Sequence, residues 1–390
     1  IPMKKTLSVL LAGAMLAGAL AGCGNGGNGA GSTDESNPNA FKIGGTGPLT
    51  GTSAIYGNAV KNGAELAVEE INAEGGIQFD LKIEDDEGDP EKAANCYNKL
   101  KDWGMQLSLV SVTSKPAEAI SVNHYDDRIF GLTPSASSVA VTEGKDNVYQ
   151  MCFIDPDQGT TAADYIADNN LGSKIAVIYK NDDVYSTGIY ETFVEEAEVK
   201  GLEVVSVTTF TEATSNDFSV QLNDAKNNGA DLVFLPMYYQ PASLILNQAK
   251  TMNFDISFIG VDGMDGILTL ENFDTSLAEG VMLLTPFNPS SDDERTQNFV
   301  QKYEEKYGET PNQFAADAYD CVYAYKQALE AAGATPDMSA EELCDLMIQE
   351  FPQMTFSGLT GTNATWDAST GRVSKTPTGV VIQDGAYVGL

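Results

Sequence analysis

The sequence predicts an α/β fold of two similar lobes, each built on a parallel sheet. Three observations predict it. From Phe41 onward, short apolar runs of strand length alternate with amphipathic stretches of helix length. The alternation runs through once, pauses near Phe153–Pro156 and starts again. Finally, the 390 residues less a leader of 22 leave 390 − 22 = 368, more than one core usually organises.

The first set opens with a strand at Phe41–Gly44. Val60, Ala64, Leu66, Ala67, Val68 and Ile71 then share one face of a helix over Asn58–Asn72, which Gly75-Gly76 stops. A strand over Phe79–Glu84, a helix over Glu91–Trp103 and a strand over Leu107–Val112 follow. A helix over Ala117–Asp127 and a strand over Ile129–Leu132 close the set at Thr133-Pro134. The second set reads helix Thr160–Asn169, strand Ile175–Tyr179, helix Ile189–Lys200 and strand Glu203–Thr209. It continues with helix Phe218–Asn227, strand Leu232–Pro236, helix Ala242–Met252 and strand Phe258–Gly260. Strands separated by helix-length segments mean βαβ units and parallel pairing.

Parallel sheets bind ligands at the carboxyl ends of their strands. The loops predicted there are 46–56, 113–116, 133–138, 180–187, 237–241 and 261–266. They are rich in hydroxyls, glycines and tyrosines. All face one cleft if the two lobes face each other.

The amino-terminal segment has a different character. Lys4 and Lys5 precede an apolar run, Leu7 to Ala21, too short to span a bilayer. The run ends in Leu20-Ala21-Gly22-Cys23, which resembles the lipobox of bacterial lipoproteins. That resemblance implies cleavage after residue 22, a lipid on Cys23 and attachment to the outer face of a membrane. Residues 24–40 are Gly, Asn, Ser and acid with almost nothing to bury, which predicts a flexible tether.

The charge balance excludes several functions. Lys and Arg number 22 against 56 Asp and Glu, a net charge of −34. So acidic a surface repels phosphate backbones and anionic headgroups. Nucleic-acid binding is excluded on that ground, and membrane attachment has to come from the lipid alone.

Motif by motif, the chain offers little catalytic chemistry. Gly45-Thr46-Gly47-Pro48-Leu49-Thr50-Gly51 nearly spells a dinucleotide fingerprint, but its third glycine falls one residue late. Pro48 also removes an amide that a pyrophosphate would use. The one histidine, His124, reads as a surface residue on a polar helix face. With it and scattered cysteines there is no zinc constellation. Glu84-Asp85-Asp86-Glu87-Gly88-Asp89 lacks the alternating spacing of a calcium loop and reads as a solvated turn, as does Asn181-Asp182-Asp183. Cys96, Cys152, Cys321 and Cys344 read as free thiols, with Cys321–Cys344 the one bridge worth checking. Asp262 is different: a lone acid at a strand end, placed to accept hydrogen bonds from an ammonium.

In order and spacing, several segments resemble the leucine/isoleucine/valine-binding branch of the solute-binding proteins of ABC importers. They are Gly47-Pro48-Leu49-Thr50-Gly51, Glu70-Ile71-Asn72-Ala73-Glu74-Gly75-Gly76-Ile77, Asp89-Pro90-Glu91-Lys92-Ala93, Thr133-Pro134-Ser135-Ala136-Ser137, Asp157-Gln158-Gly159 and Tyr185-Ser186-Thr187-Gly188. The resemblance spans Ile43 to Val388. It implies a periplasmic-binding-protein type I fold, two Rossmann-like lobes joined by a three-strand hinge. One lobe would be 41–155 plus about 287–378, the other 156–286 plus about 379–390. It further implies that Ser114, Ser135, Ala136 and Ser137 hold a ligand's carboxylate and ammonium from the first lobe. Asp262 completes the ammonium site, Tyr56, Tyr185 and Tyr238 pack around the ligand, and Phe314 lies in its side-chain pocket. Two family features are missing. An arginine found in some members has no counterpart in Tyr149-Gln150-Met151-Cys152-Phe153, and Gly88 and Thr113 stand where others carry a cysteine pair.

The expected function is an extracytoplasmic, lipid-tethered, monomeric receptor for an amino acid, branched-chain or otherwise apolar. It hands that ligand to ABC permease subunits, uses no cofactor or metal and catalyses nothing. The alternatives are another small ligand, such as an amide, urea, γ-aminobutyrate or an aromatic acid, and a sensory module.

Overall fold

The computed structural model describes residues 37–390. The leader, Cys23 and most of the tether lie outside the described residues. Runs such as Leu107–Ser111, Phe130–Thr133 and Leu232–Leu235 are buried along their whole length. Only a sheet covered on both faces accommodates that pattern. The first sheet is formed by β1 (Phe41–Gly47), β2 (Phe79–Asp85), β3 (Leu107–Ser111), β4 (Phe130–Thr133) and β5 (Val148–Gln150). Its order is β2-β1-β3-β4-β5, all parallel. Between its strands run α1 (Ala54–Ala73), α2 (Pro90–Trp103) and α3 (Ser114–Asp127).

The chain then enters α4 (Asp155–Asp168) and a second sheet. Its parallel strands are β6 (Lys174–Lys180), β7 (Glu203–Phe210), β8 (Leu232–Leu235), β9 (Ser257–Gly260) and β10 (Met282–Thr285). They are connected by α5 (Val184–Val199), α6 (Ser219–Asn227) and α7 (Tyr239–Thr251). The chain returns to the first lobe as α8 (Glu294–Tyr307), α9 (Gln313–Ala332) and α10 (Ala340–Glu350), with α9 packed along α1 and α10 against β4. It ends as β11 (Thr378–Gln383) and β12 (Ala386–Gly389), which extend the second sheet antiparallel in the order β12-β11-β10-β9-β8-β6-β7. The lobes are thus two α/β units with mostly parallel sheets, crossed by the chain three times.

Helix boundaries follow local chemistry. Asp89 accepts from Lys92 N at 2.9 Å with Pro90 behind it, and so starts α2. Asp293 does the same for α8, and Ser339 forms a capping box with Glu342 for α10. Gly104, Gly308 and Gly333 end their helices in the left-handed conformation.

Two acids expected to be solvated are buried. Asp86 is 0% exposed and accepts from Thr46 Oγ1 and Ser111 Oγ at 2.7 Å and Gly88 N at 2.8 Å. It ties β1 to β3 below the cleft. Asp183 is buried and caps α5 through Ser186 N at 3.2 Å. His124 is also internal rather than superficial. Its ring nitrogens meet Ile120 O at 2.8 Å and Ser108 Oγ at 2.7 Å, and burial lowers its pKa to about 4. It is therefore a neutral packing residue that ties α3 to β3. The four described cysteines are unpaired and buried, so Cys321 and Cys344 do not bridge.

Candidate ligand-binding cleft

The strand ends of both lobes converge on a narrow, nearly closed cavity of about 10 Å³. From the first lobe its wall takes Tyr56, Val112, Thr113, Ser114, Ser135, Ser137 and Phe314; from the second, Tyr185, Tyr238, Asp262 and Gly263. Eight of the nine residues expected at the site are therefore brought together. Ala136 is not among them. It lies behind the wall, its N–H on Thr133 Oγ1 at 3.0 Å and its carbonyl accepting from Gln150 Nε2 at 2.8 Å.

The first-lobe side of the cavity favours an anion. Helix α3 begins at Ser114, so its first N–H groups have no intrahelical acceptor and its dipole is positive there. The loop after β4 folds over that end. Ser138 N donates to Ser114 Oγ at 3.2 Å, and Ser135 Oγ donates to Val112 O at 2.7 Å. The Thr113 and Ser137 hydroxyls are buried without a hydrogen-bond partner. Hydroxyls and backbone amides at a helix start can hold a carboxylate with no formal counter-charge.

Asp262 provides the opposite pole. Its Oδ1 accepts from Tyr185 OH at 2.5 Å, its N–H donates to Gln158 Oε1 at 3.0 Å, and its carbonyl accepts from Gln313 Nε2 at 2.7 Å. Tyr185 OH in turn accepts from Gly263 N at 2.9 Å. The carboxylate is oriented by Tyr185 of its own lobe, and the backbone of the residue is anchored by Gln158 of the same lobe and Gln313 of the other. Burial pushes its pKa up to about 6, against hydrogen bonds from Tyr185, Gln158 and the Gly263 N–H. A buried acid opposed by donors rather than by a cation is suited to a positively charged ligand group.

Aromatic rings close the remaining sides. Tyr56 packs on Phe314 with ring centroids 4.2 Å apart and meets Tyr238 edge-on at 5.3 Å. Tyr185 leans on Tyr238 at 4.7 Å. The Tyr56 hydroxyl donates to Gly263 O and accepts from Tyr239 N, and Ile55 N donates to Tyr239 OH at 3.3 Å. The Tyr56–Tyr238 contact and the hydrogen bonds of Tyr56 and Ile55 join one lobe to the other. Outward of Thr113 and Tyr238 the cleft widens into a mouth carrying Lys115 and Lys180 among Glu87, Asp89, Asp182, Asp183 and Glu212.

Sequence reasoning placed Tyr56, Ser114 and Tyr185 in loops, whereas each sits in the first turn or so of a helix. It missed Val112, Thr113 and Gly263 on the wall, although Thr113 and Gly263 adjoin residues it chose and Val112 lies two before Ser114. It also missed Asp155, the first residue of α4, which is 2% exposed with both carboxylate oxygens unpartnered. The apolar run Met151–Ile154 leading straight into it was the available signal.

Two sheets of this order facing across a cleft, with the chain crossing three times, narrow the comparison. Residues 40–386 match the periplasmic binding protein family. The chain belongs to that family. Among its relatives, the leucine-, isoleucine-, valine-, threonine- and alanine-binding protein of Pseudomonas aeruginosa is 28% identical over 308 residues, 78% of this chain and 82% of that one. The Leu/Ile/Val/Thr-binding protein of Salmonella typhimurium is 30% identical over 252 residues, 64% and 68% of the two chains. Among solved structures, LivJ of Streptococcus pneumoniae, a branched-chain amino acid transporter substrate-binding protein in complex with isoleucine, aligns with a TM-score of 0.80. It is 27% identical, with 90% of this chain and all of that one covered. A solute-binding protein of R. palustris in complex with benzoate aligns equally well, TM-score 0.80, at 21% identity over 90% and 95% of the chains. The fold alone therefore does not choose the ligand. Among the described residues no cluster of His, Cys, Asp and Glu is arranged to hold a metal ion, and no helix is long and apolar enough to cross a membrane.

Proposed function

We propose that this periplasmic binding protein takes up a free amino acid, branched-chain or otherwise apolar, between its lobes and presents it to an ABC permease. The observation that carries the reading is the polarity of the cavity. One end offers a helix start and hydroxyls to a carboxylate; the other offers the buried Asp262 to an ammonium. Val112, Phe314 and the tyrosine rings make the wall between the two poles apolar. A benzoate-type ligand would satisfy the first pole and leave Asp262 without a partner. The names of the relatives in Pseudomonas and Salmonella, and the isoleucine held by the Streptococcus protein, support the same choice. A thermal-shift screen of the twenty amino acids against benzoate and 4-hydroxybenzoate tests it. An apolar amino acid at ~100 times its Kd should stabilise the protein by ~2.7 kcal/mol. A shift with the benzoates and none with any amino acid would reject the reading.

The lipobox-like Leu20-Ala21-Gly22-Cys23 supports a second element of the proposal, that a lipid on Cys23 tethers the receptor to the outer membrane face of the cell that makes it. Cys23→Ala should move the protein from the membrane fraction to the soluble one. Retention in the membrane fraction would remove the anchor from the account.

A further inference from the structure

Asp155 stands at the point where the chain leaves the first lobe. Its N–H donates across the lobe boundary to Ser137 O at 3.0 Å, which places it directly behind the cavity wall. Its carboxylate is 2% exposed, and neither oxygen has a hydrogen-bond partner. The hydroxyl beside it, Ser137 Oγ, is also unpartnered. Burial raises its pKa well above the usual carboxylate range, opposed by the neighbouring Ser137 hydroxyl and reinforced by the charged groups that bear on it, Asp262, Asp183 and Glu118, all acids. Tyr185 and Tyr238, both on the cavity wall, feel its charge in return.

Such a residue needs a reason. An acid in the first turn of a helix gains only a little from the dipole. Leaving a buried charged group unpaired costs considerably more. The ordinary helix-start acid is solvated or caps an N–H, and Asp155 does neither. Among the described residues no lysine or arginine compensates it. Burial keeps the acid protonated until a cation reaches it, and the cavity on the other side of Ser137 is where a ligand's ammonium would arrive.

We infer that Asp155 is a second ligand acid, which with Asp262 forms a two-carboxylate receptor for a primary amine. An ammonium has three N–H donors, enough for Asp262, Asp155 and one hydroxyl of the wall such as Ser137. The inference deepens the amino-acid reading above and rests on it for the position of the ammonium. It adds a selection rule. Ligands without an amine leave two buried carboxylates unpaired and are rejected.

The test compares wild type with Asp155→Asn and Asp155→Ala by calorimetry and by melting temperature. The ligands are the amino acid that gives the largest thermal shift, γ-aminobutyrate and benzoate. Both variants should bind the amine ligand at least tenfold more weakly. Without ligand both should melt at or above the wild-type temperature, because an uncompensated buried charge has been removed. A merely structural Asp155 predicts the reverse pattern, a lower melting temperature with affinity within about twofold, and that result overturns the inference. Unchanged affinity at any melting temperature overturns it too. If γ-aminobutyrate binds and no α-amino acid does, the amino-acid reading fails while the tenfold loss still supports Asp155. If only benzoate binds, both fail.

Discussion

At Asp262 the demands of folding and of binding point in opposite directions. Burial raises its pKa from 3.8 to about 6. Between those values the folded chain holds a proton that the unfolded chain has lost. The contribution to stability is therefore complete below pH ~4 and is lost as the pH rises through 6. Binding needs the ionised form, so affinity for an ammonium should change little above pH ~7. Below pH ~6 it should weaken by up to tenfold per pH unit. Calorimetry at pH 5, 6 and 7.5 measures the slope. Asp262→Asn should flatten it, and an equal slope in wild type and variant would assign the titration to another group. The place of this residue on the cavity wall was legible in the sequence because it is a single acid after a strand end. The burial of Asp86, Asp183 and His124 was not. Whether a polar residue near a turn is solvated depends on what later segments lay over it, and Thr46, Ser111 and Ser108 come from other strands.

At the scale of elements, the site rests on helices that begin immediately after strands. Helix α3 starts three residues after β3 ends, and α5 four residues after β6. Their first turns, not free loops, present Ser114 and Tyr185, which fixes these side chains far better than a loop does. Hydrophobic periodicity detects a helix from its buried face, so it reported each of these helices late: Ala117 instead of Ser114, Ile189 instead of Val184, Ala242 instead of Tyr239. The polar first turns carry no apolar repeat because they face the cleft. Helix α1 positions Tyr56 by packing on α9, and the contact is close enough to need a glycine. A Cβ on Gly63 would come within 2.0 Å of Ala315 O. Gly63→Ala is therefore expected to destabilise the protein by ~1–3 kcal/mol. Because α1 carries Tyr56 and α9 carries Phe314, it should also weaken ligand binding. Urea unfolding measures the first effect; a variant as stable as wild type would mean that the two helices are not held at this distance.

The whole molecule is two α/β lobes whose strand ends face one another, joined where the chain crosses at 150–155, 285–294 and 356–378. The third crossing is fastened to the first lobe. Lys375 Nζ lies 3.3 Å from Asp317 Oδ1 on α9, both fully buried, and also reaches Thr360, whose hydroxyl and N–H serve Asp320. Alternating strand and helix patterns made this architecture readable in advance, down to the restart after Phe153. The tail was harder. The sequence pattern named no elements between Gly260 and the end, where helices of the first lobe and antiparallel strands of the second succeed one another without a βαβ rhythm.

The central claim is that an amino acid binds in this cleft with its ammonium on Asp262. Calorimetry of wild type, Asp262→Ala and Asp182→Ala with the best amino-acid ligand tests it most directly. Removing one partner of a buried charge pair costs ~2–5 kcal/mol, so Asp262→Ala should bind ~30- to several-thousand-fold more weakly. Asp182, exposed at the cleft mouth, should lose almost nothing on the same change. Equal, small losses in both variants would contradict the account, because the buried acid would then hold no ammonium.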